Sequence, residues 1–148
     1  MQRGFNIFVK VHSYAKLIAE TENVDKECLF IIEAAALTHD IGIHFCEEKY
    51  GNCNGKLQEK EGPAIAEKML KELGFDQDVS DRVQYLIAHH HTYNNIDEID
   101  YQILVEADFL VNIMEDGLSK EAALKAYESI FKTTCGKMIC REMFDFCS

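Results

Sequence analysis

Residues 99–116 read IDYQILVEADFLVNIMED, a strongly apolar run between the turn-forming stretch TYNNID (92–97) and Gly117. No period-two alternation interrupts it, so it reads as a helix closed by the glycine. Asp108 lies within this run, with Leu104, Val105 and Val111 as its helical neighbours at i−4, i−3 and i+3. Its carboxylate therefore falls on or near an apolar stripe. A buried carboxylate without a partner is costly, so Asp108 is expected in a buried salt bridge, in a capping contact or on a metal ion.

Helical periodicity continues on both sides. Ile7, Val11, Ala15 and Ile18 make one face of a first helix that runs to about Thr21. DKECLFIIEAAALTHD (25–40) predicts a second helix, capped by Asn23 or Asp25, whose Ala34-Ala35-Ala36 run lets neighbouring helices come close. Gly42 stands where this register calls for a left-handed terminal residue. The segment IHFCEEKYGNCNGKLQ (43–58) is rich in Gly and Asn and reads as a loop, a natural place for a lid. A third helix is expected from Gly62-Pro63 to Gly74, and a fourth, DVSDRVQYLIAHHH (78–91), capped by Asp78. Ser119 caps a sixth helix after the apolar one, and a short helix from about Thr134 ends the chain. These readings predict an all-α, compact single-domain bundle of about six to seven helices over residues 1–148. Its core spans about 5–117, with C-terminal helices over 119–148.

The formal charge is −11, from 26 acidic and 15 basic residues among 148. So acidic a surface disfavours nucleic-acid polymers and anionic membranes as partners. A small phosphorylated substrate stays open, because a local metal ion outweighs the global field. No apolar run reads as long enough to cross a bilayer, and MQRGFNIFVK at the start does not read as a secretory signal. The cysteines at 28, 46, 53, 135, 140 and 147 include no C-x-x-C pair and are expected to be reduced thiols packed as small apolar residues. A zinc site from Cys135, Cys140 and Cys147 is disfavoured, and a cytoplasmic location is expected. The amphipathic segment FKTTCGKMICREMFDFC (131–147) covers either the core or a partner, and a homodimer stays open.

His39 and Asp40 end the second helix, where both side chains can reach one ion lying beyond the helix terminus. A neutral imidazole with carboxylates suits Mn, Fe, Co, Ni or Zn. Without an ion, His39 would be a core histidine bonded to a carbonyl, and Asp40 would oppose the helix dipole. The triplet His89-His90-His91 ends another helix. His90 follows Leu86 and Ile87 at i−4 and i−3 and is the best candidate to point inward, with His91 beside it; a solvent-exposed histidine cluster is the alternative.

Taken together, His39-Asp40-Ile41-Gly42, GPAIAEKML (62–70), LIAHHH (86–91) and VEADFL (105–110) resemble the HD-domain superfamily over about Phe5 to Gly117. The resemblance implies an HD-like helical fold and metal-dependent phosphohydrolase activity on nucleotides or phosphodiesters. It also implies one divalent ion held by a first His, then the HD pair, then a distal Asp. His39, Asp40 and Asp108 match the last three positions. Val11, Ala15, Ile18 and Ala19 place the first slot at Ile7, whereas His12 is five residues further on. Five residues turn a helix by about 140°, leaving His12 as a substituted ligand or a surface residue. Members with two metals carry a further histidine where this chain has Gln58, and their other second-metal histidines align with His90 and His91. A second metal is therefore not expected. TYNNID stands where cyclic-dinucleotide phosphodiesterases carry a GYP motif, and Ile43 where they often carry Lys, so that activity is not expected either.

The expected function is metal-assisted hydrolysis of a small phosphate ester such as a nucleotide. One divalent transition metal ion (Fe, Mn, Ni, Co or Zn) would be held by His39, Asp40, Asp108 and His90. Asp40 and His91 are the expected catalytic residues, and His90 and His91 the expected substrate contacts. The departures at Ile7 and Gln58 motivate an alternative, a non-catalytic metal- or nucleotide-binding module with a degenerate site. A plain helical interaction domain is the third reading.

Overall fold

The apolar run is the central helix of the protein. A computed structural model describes residues 2–144, with side chains described from Phe8 onward. In the helix α6 (Ile99–Glu115), Tyr101, Ile103, Leu104, Val105, Ala107, Leu110 and Val111 are buried, and so are the polar Gln102, Glu106 and Asp108. A helix buried around its circumference must be wrapped by others. Helices α1 (Gln2–Thr21) and α2 (Lys26–Thr38) pack on α6 and on each other. Val11, Ala15, Ile18 and Ala19 form the buried face of α1; the side chain of Ile7 lies outside the described residues. Asp25 caps α2 by accepting from the backbone N–H of Cys28 at 2.8 Å, while Asn23 turns the chain with φ +58°. The small Ala35 and Ala36 are buried in α2, which packs against α1, α5 (Gln77–His89) and α6.

The stretch 43–58 departs from the expected loop. It forms α3 (Ile43–Tyr50) and the first turn of α4 (Gly55–Glu72), making eight helices among the described residues, one more than the upper expectation of seven. The Gly and Asn residues that signalled a loop are caps. Gly51 ends α3 with φ +76°, and Asn54 opens α4 by accepting from the N–H of Leu57 at 2.9 Å. Pro63 therefore lies inside α4 rather than at its start, and Asp76 rather than Asp78 precedes α5. Gly42 is right-handed, with φ −79°. Its lack of a side chain serves packing: a Cβ there would come within 3.1 Å of the Gly62 backbone. Lys26–Tyr50 is, by length and composition, apolar enough to cross a membrane, contrary to the sequence expectation. The turn residues 39–42 split that segment into α2 and α3 and carry His39 and Asp40.

Ser119 caps α7 (Lys120–Ser129), and α8 (Thr134–Phe144) closes the described chain. Of the two roles open to the C-terminal segment, α8 covers the core: Phe131, Cys135 and Cys140 join the same buried cluster as α1 and α6. Glu106, fully buried, anchors this end. Its carboxylate accepts from Gln102 Nε2 (2.6 Å), the N–H groups of Lys132 and Thr133 (3.1 Å each) and Thr133 Oγ1 (2.6 Å). Cys28, Cys46, Cys53, Cys135 and Cys140 are free thiols, and Cys147 lies outside the described residues.

Candidate metal centre

The end of α2 meets the middle of α6 at a buried cluster. His39 is the C-terminal cap of α2 and has no solvent exposure. Its Nδ1 donates to the carbonyl of Ala36 at 2.8 Å, which turns Nε2 toward Asp40 Oδ2 and Asp108 Oδ1, each at 3.2 Å. His90 caps α5 by the same device, with Nδ1 donating to the carbonyl of Ile87 at 2.6 Å and Nε2 3.6 Å from Asp40 Oδ1. The two rings meet edge to face at 5.3 Å. Tying one imidazole nitrogen to a carbonyl fixes the tautomer and aims the other nitrogen, the outer support common to metal-binding histidines.

Two groups of donor atoms result, each drawn together within 4.8 Å: His39, Asp40 and Asp108, and Asp40, His90 and His91. Asp40 belongs to both. The first group fits a divalent transition metal ion on its chemistry. An imidazole Nε2 faces two carboxylates, and this arrangement calls for a cation between or upon them. Burial works to lower the His39 pKa, but the charges of Asp40 and Asp108 and their hydrogen bonds prevail and raise it well above 6.5. Burial likewise works to raise Asp40, yet His39 and then His90 hold its carboxyl well below the usual range. His91 is driven the other way: burial, followed by the neighbouring His90, lowers its pKa.

His12 does not join the cluster. Its Nε2 pairs with Glu33 Oε1 on α2 at 3.0 Å, so of its two readings it is a half-buried surface residue. Phe8, about one turn before it on α1, sets its ring edge-on to His39 at 6.1 Å. His89 also turns away, donating to the Tyr85 carbonyl and stacking on the Tyr85 ring at 4.2 Å.

The HD domain family profile matches residues 8–130. The chain belongs to the HD domain family. No curated protein and no solved structure matches it. HD domains are generally metal-dependent hydrolases, and the His39–Asp40–Asp108 group of this HD domain, with His39 and Asp108 buried, is a candidate metal-ligand cluster.

Around the cluster stand further residues of α4 and of the turn after α5. Gln58 Oε1 lies 3.2 Å from His91 Nε2 and 3.4 Å from His90 Nε2, so a carboxamide faces the outer group. Glu59, the next residue of α4, accepts from the His91 N–H (3.2 Å), Thr92 Oγ1 (2.8 Å) and Lys56 Nζ (3.0 Å), fastening the histidine corner to α4. Gly55 lets that corner close, since a Cβ there would meet the His91 ring at 2.8 Å. Tyr93, directly after His91-Thr92, places its hydroxyl 3.4 Å from His91 Nδ1. Burial and then Asp108 push its pKa up to about 12. An Asn-Gly pair ahead of an apolar periodicity is the one signal that a helix starts here; Glu59 and Tyr93 belong to no pattern short enough to read from one sequence.

Proposed function

We propose that this HD domain is a metal-dependent phosphohydrolase acting on a small phosphate ester such as a nucleotide. The observation that carries the reading is the convergence of His39, Asp40 and Asp108 on one buried point, with His90 and His91 on the adjoining side. One divalent transition metal ion (Fe, Mn, Ni, Co or Zn) fits the first group. When bound it would supply Lewis acidity toward a phosphoryl oxygen and a water of lowered pKa.

The chain's own residues do the rest. Asp108 and His39 hold the ion from the buried side, each ring or carboxylate aimed by its helix. Asp40, shared between the two groups, holds the ion and orients the water beside it. His90 adds a ligand to the ion or a contact to the phosphate. Burial and then His90 lower the His91 pKa, which suits it to donate a hydrogen bond to a phosphoryl oxygen; protonation of the leaving group is the other role open to it. The grouping of Asp40, His90 and His91 supports a second reading, in which that side takes a second cation. Free thiols and the −11 charge support a cytoplasmic protein without nucleic-acid or membrane partners.

Metal content by elemental analysis, beside turnover of a phosphate-ester panel, tests the proposal. About one transition metal per chain and hydrolysis above background are expected, both lost in Asp40→Ala. Hydrolysis that persists in Asp40→Ala sinks the scheme. Two metals per chain would establish the second reading. Metal without turnover in any ester would leave the non-catalytic module.

A further inference from the structure

The turn from α5 to α6 carries an aromatic side chain for which the chemistry above has no use. Tyr93 is 42% exposed, yet its hydroxyl is held by a residue of the outer donor group and its ring by a neighbouring aromatic. Its hydroxyl reaches His91 Nδ1 at 3.4 Å, and its ring meets Phe109 at 4.9 Å with the planes 61° apart. Phe109 directly follows Asp108 on α6 and is itself only half-buried. The ring pair thus lies beside one member of the outer group and next in sequence to a ligand of the inner one.

A phosphate ester whose phosphoryl group sits among His91, Asp40 and the ion must direct its organic part outward, toward solvent. Tyr93 faces solvent beside His91, with its hydroxyl on that ring's Nδ1 and its own ring on Phe109. A tyrosine braced by a second ring is a low-entropy apolar surface with a polar tip, suited to offset stacking of a flat ring. A polyol gains little from such a surface, because its hydroxyls are better satisfied by water.

We propose that Tyr93, braced by Phe109, is the specificity-determining residue of this site and selects phosphate esters whose organic group is a flat aromatic or heteroaromatic ring. The inference rests on the phosphohydrolase reading and deepens it. The polar tip acts separately from the ring. The Tyr93 hydroxyl lies at His91 Nδ1 and Gln58 Oε1 at Nε2, a pairing that suits the Nε2–H tautomer, so loss of the ring and loss of the hydroxyl should have distinct effects.

The test is calorimetric binding of phenylphosphonate and methylphosphonate to the full chain loaded with Mn(II), in the wild type, Tyr93→Phe and Tyr93→Leu. Tighter binding of the phenyl compound is expected in the wild type, by about 3- to 10-fold. That preference should persist in Tyr93→Phe and vanish in Tyr93→Leu. Equal wild-type affinities, or a preference that survives in Tyr93→Leu, overturn the proposal. So does an equal weakening of both ligands in Tyr93→Leu, which marks a merely structural turn. Phosphate-ester hydrolysis without aryl preference refutes this proposal alone; no binding of either phosphonate and no hydrolysis refutes the phosphohydrolase reading with it.

Discussion

At the scale of single residues, the two inward histidines share one construction. His39 and His90 each cap a helix and each give the Nδ1 proton to the carbonyl three residues back. The bond to the helix terminus therefore aims Nε2 of each ring into the cluster. Asp108 is the opposing group, 3% exposed and carried on the buried helix α6. Replacing it with Ala leaves His39 one carboxylate partner, Asp40, in place of two. Removing one member of a buried ion pair costs about 3–5 kcal/mol, and the retained Asp40 puts Asp108→Ala near the lower end of that range. Urea unfolding of metal-free protein should show this loss, and elemental analysis should show the loss of metal. Full metal content with a change below about 1 kcal/mol, the scale of an exposed pair, would remove Asp108 from the site. Gly55→Ala tests the outer group, because two effects oppose each other there. Alanine gains up to about 1 kcal/mol of helix propensity, so global stability should change little. The added Cβ would stand 2.8 Å from the His91 ring, so the histidine must move. Displaced His91 resonances in NMR, with turnover reduced, are expected; an unmoved His91 would show that the corner has slack.

At the scale of elements, the site depends on α4 and α5 lying close together near the 39–42 turn. Gly62 makes this possible: a Cβ on it would sit 2.7 Å from Ile87 Cγ2, while its own backbone is what a Cβ on Gly42 would strike at 3.1 Å. Overpacking of this kind costs about 1–3 kcal/mol, and Gly62→Ala should destabilise by that amount in chemical denaturation. Ile87→Ala removes the struck methyl at its own cavity cost. The double variant should therefore be more stable than the two single losses added together. Strict additivity would mean that Gly62 serves some other purpose. This crossing also shows what can be read from the sequence at this scale. GPAIAEKML is legible as helix, but its glycine reads there as part of a helix start, and the partner that gives it a packing role lies 25 residues away on α5. The start of α4 escapes a local reading for a related reason. Asn54 and Gly55 have loop composition, and only the bond to Leu57 N–H and the nearness of His91 reveal a cap and a close approach. Local preference names what a residue tolerates; tertiary contact decides which tolerance is used.

At the scale of the whole molecule, the readable part is the part with a long period or a strong cost. The buried circumference of α6, the stripe of α1 and the need to compensate Asp108 all follow from burial, which composition reports directly. The meeting of α2 with α6 follows from chain topology, and the family resemblance rather than periodicity anticipates it. Charge then links the site to the stability of the entire fold. Asp40 and Asp108 raise the His39 pKa well above 6.5 although burial opposes them, so metal-free protein should keep a proton there. A group whose folded pKa is raised contributes stability that is fully present below its unfolded value and is lost as pH rises through the folded one. The Asp40 side of the pair is lost at the other extreme, as pH falls from 3.8 through its depressed folded value. Metal-free protein should accordingly lose thermal stability as pH climbs above 6.5, by more than His39→Gln does under the same conditions. A metal ion replaces the proton and binds the deprotonated ring, so its affinity increases with pH over that same range. Thermal midpoints with and without Mn(II), taken at several pH values, should diverge as pH rises, with the larger metal-induced gain on the alkaline side. A metal-free profile parallel to that of His39→Gln would mean that the cluster holds no proton, and a metal-induced gain that shrinks with pH would place the ion away from His39.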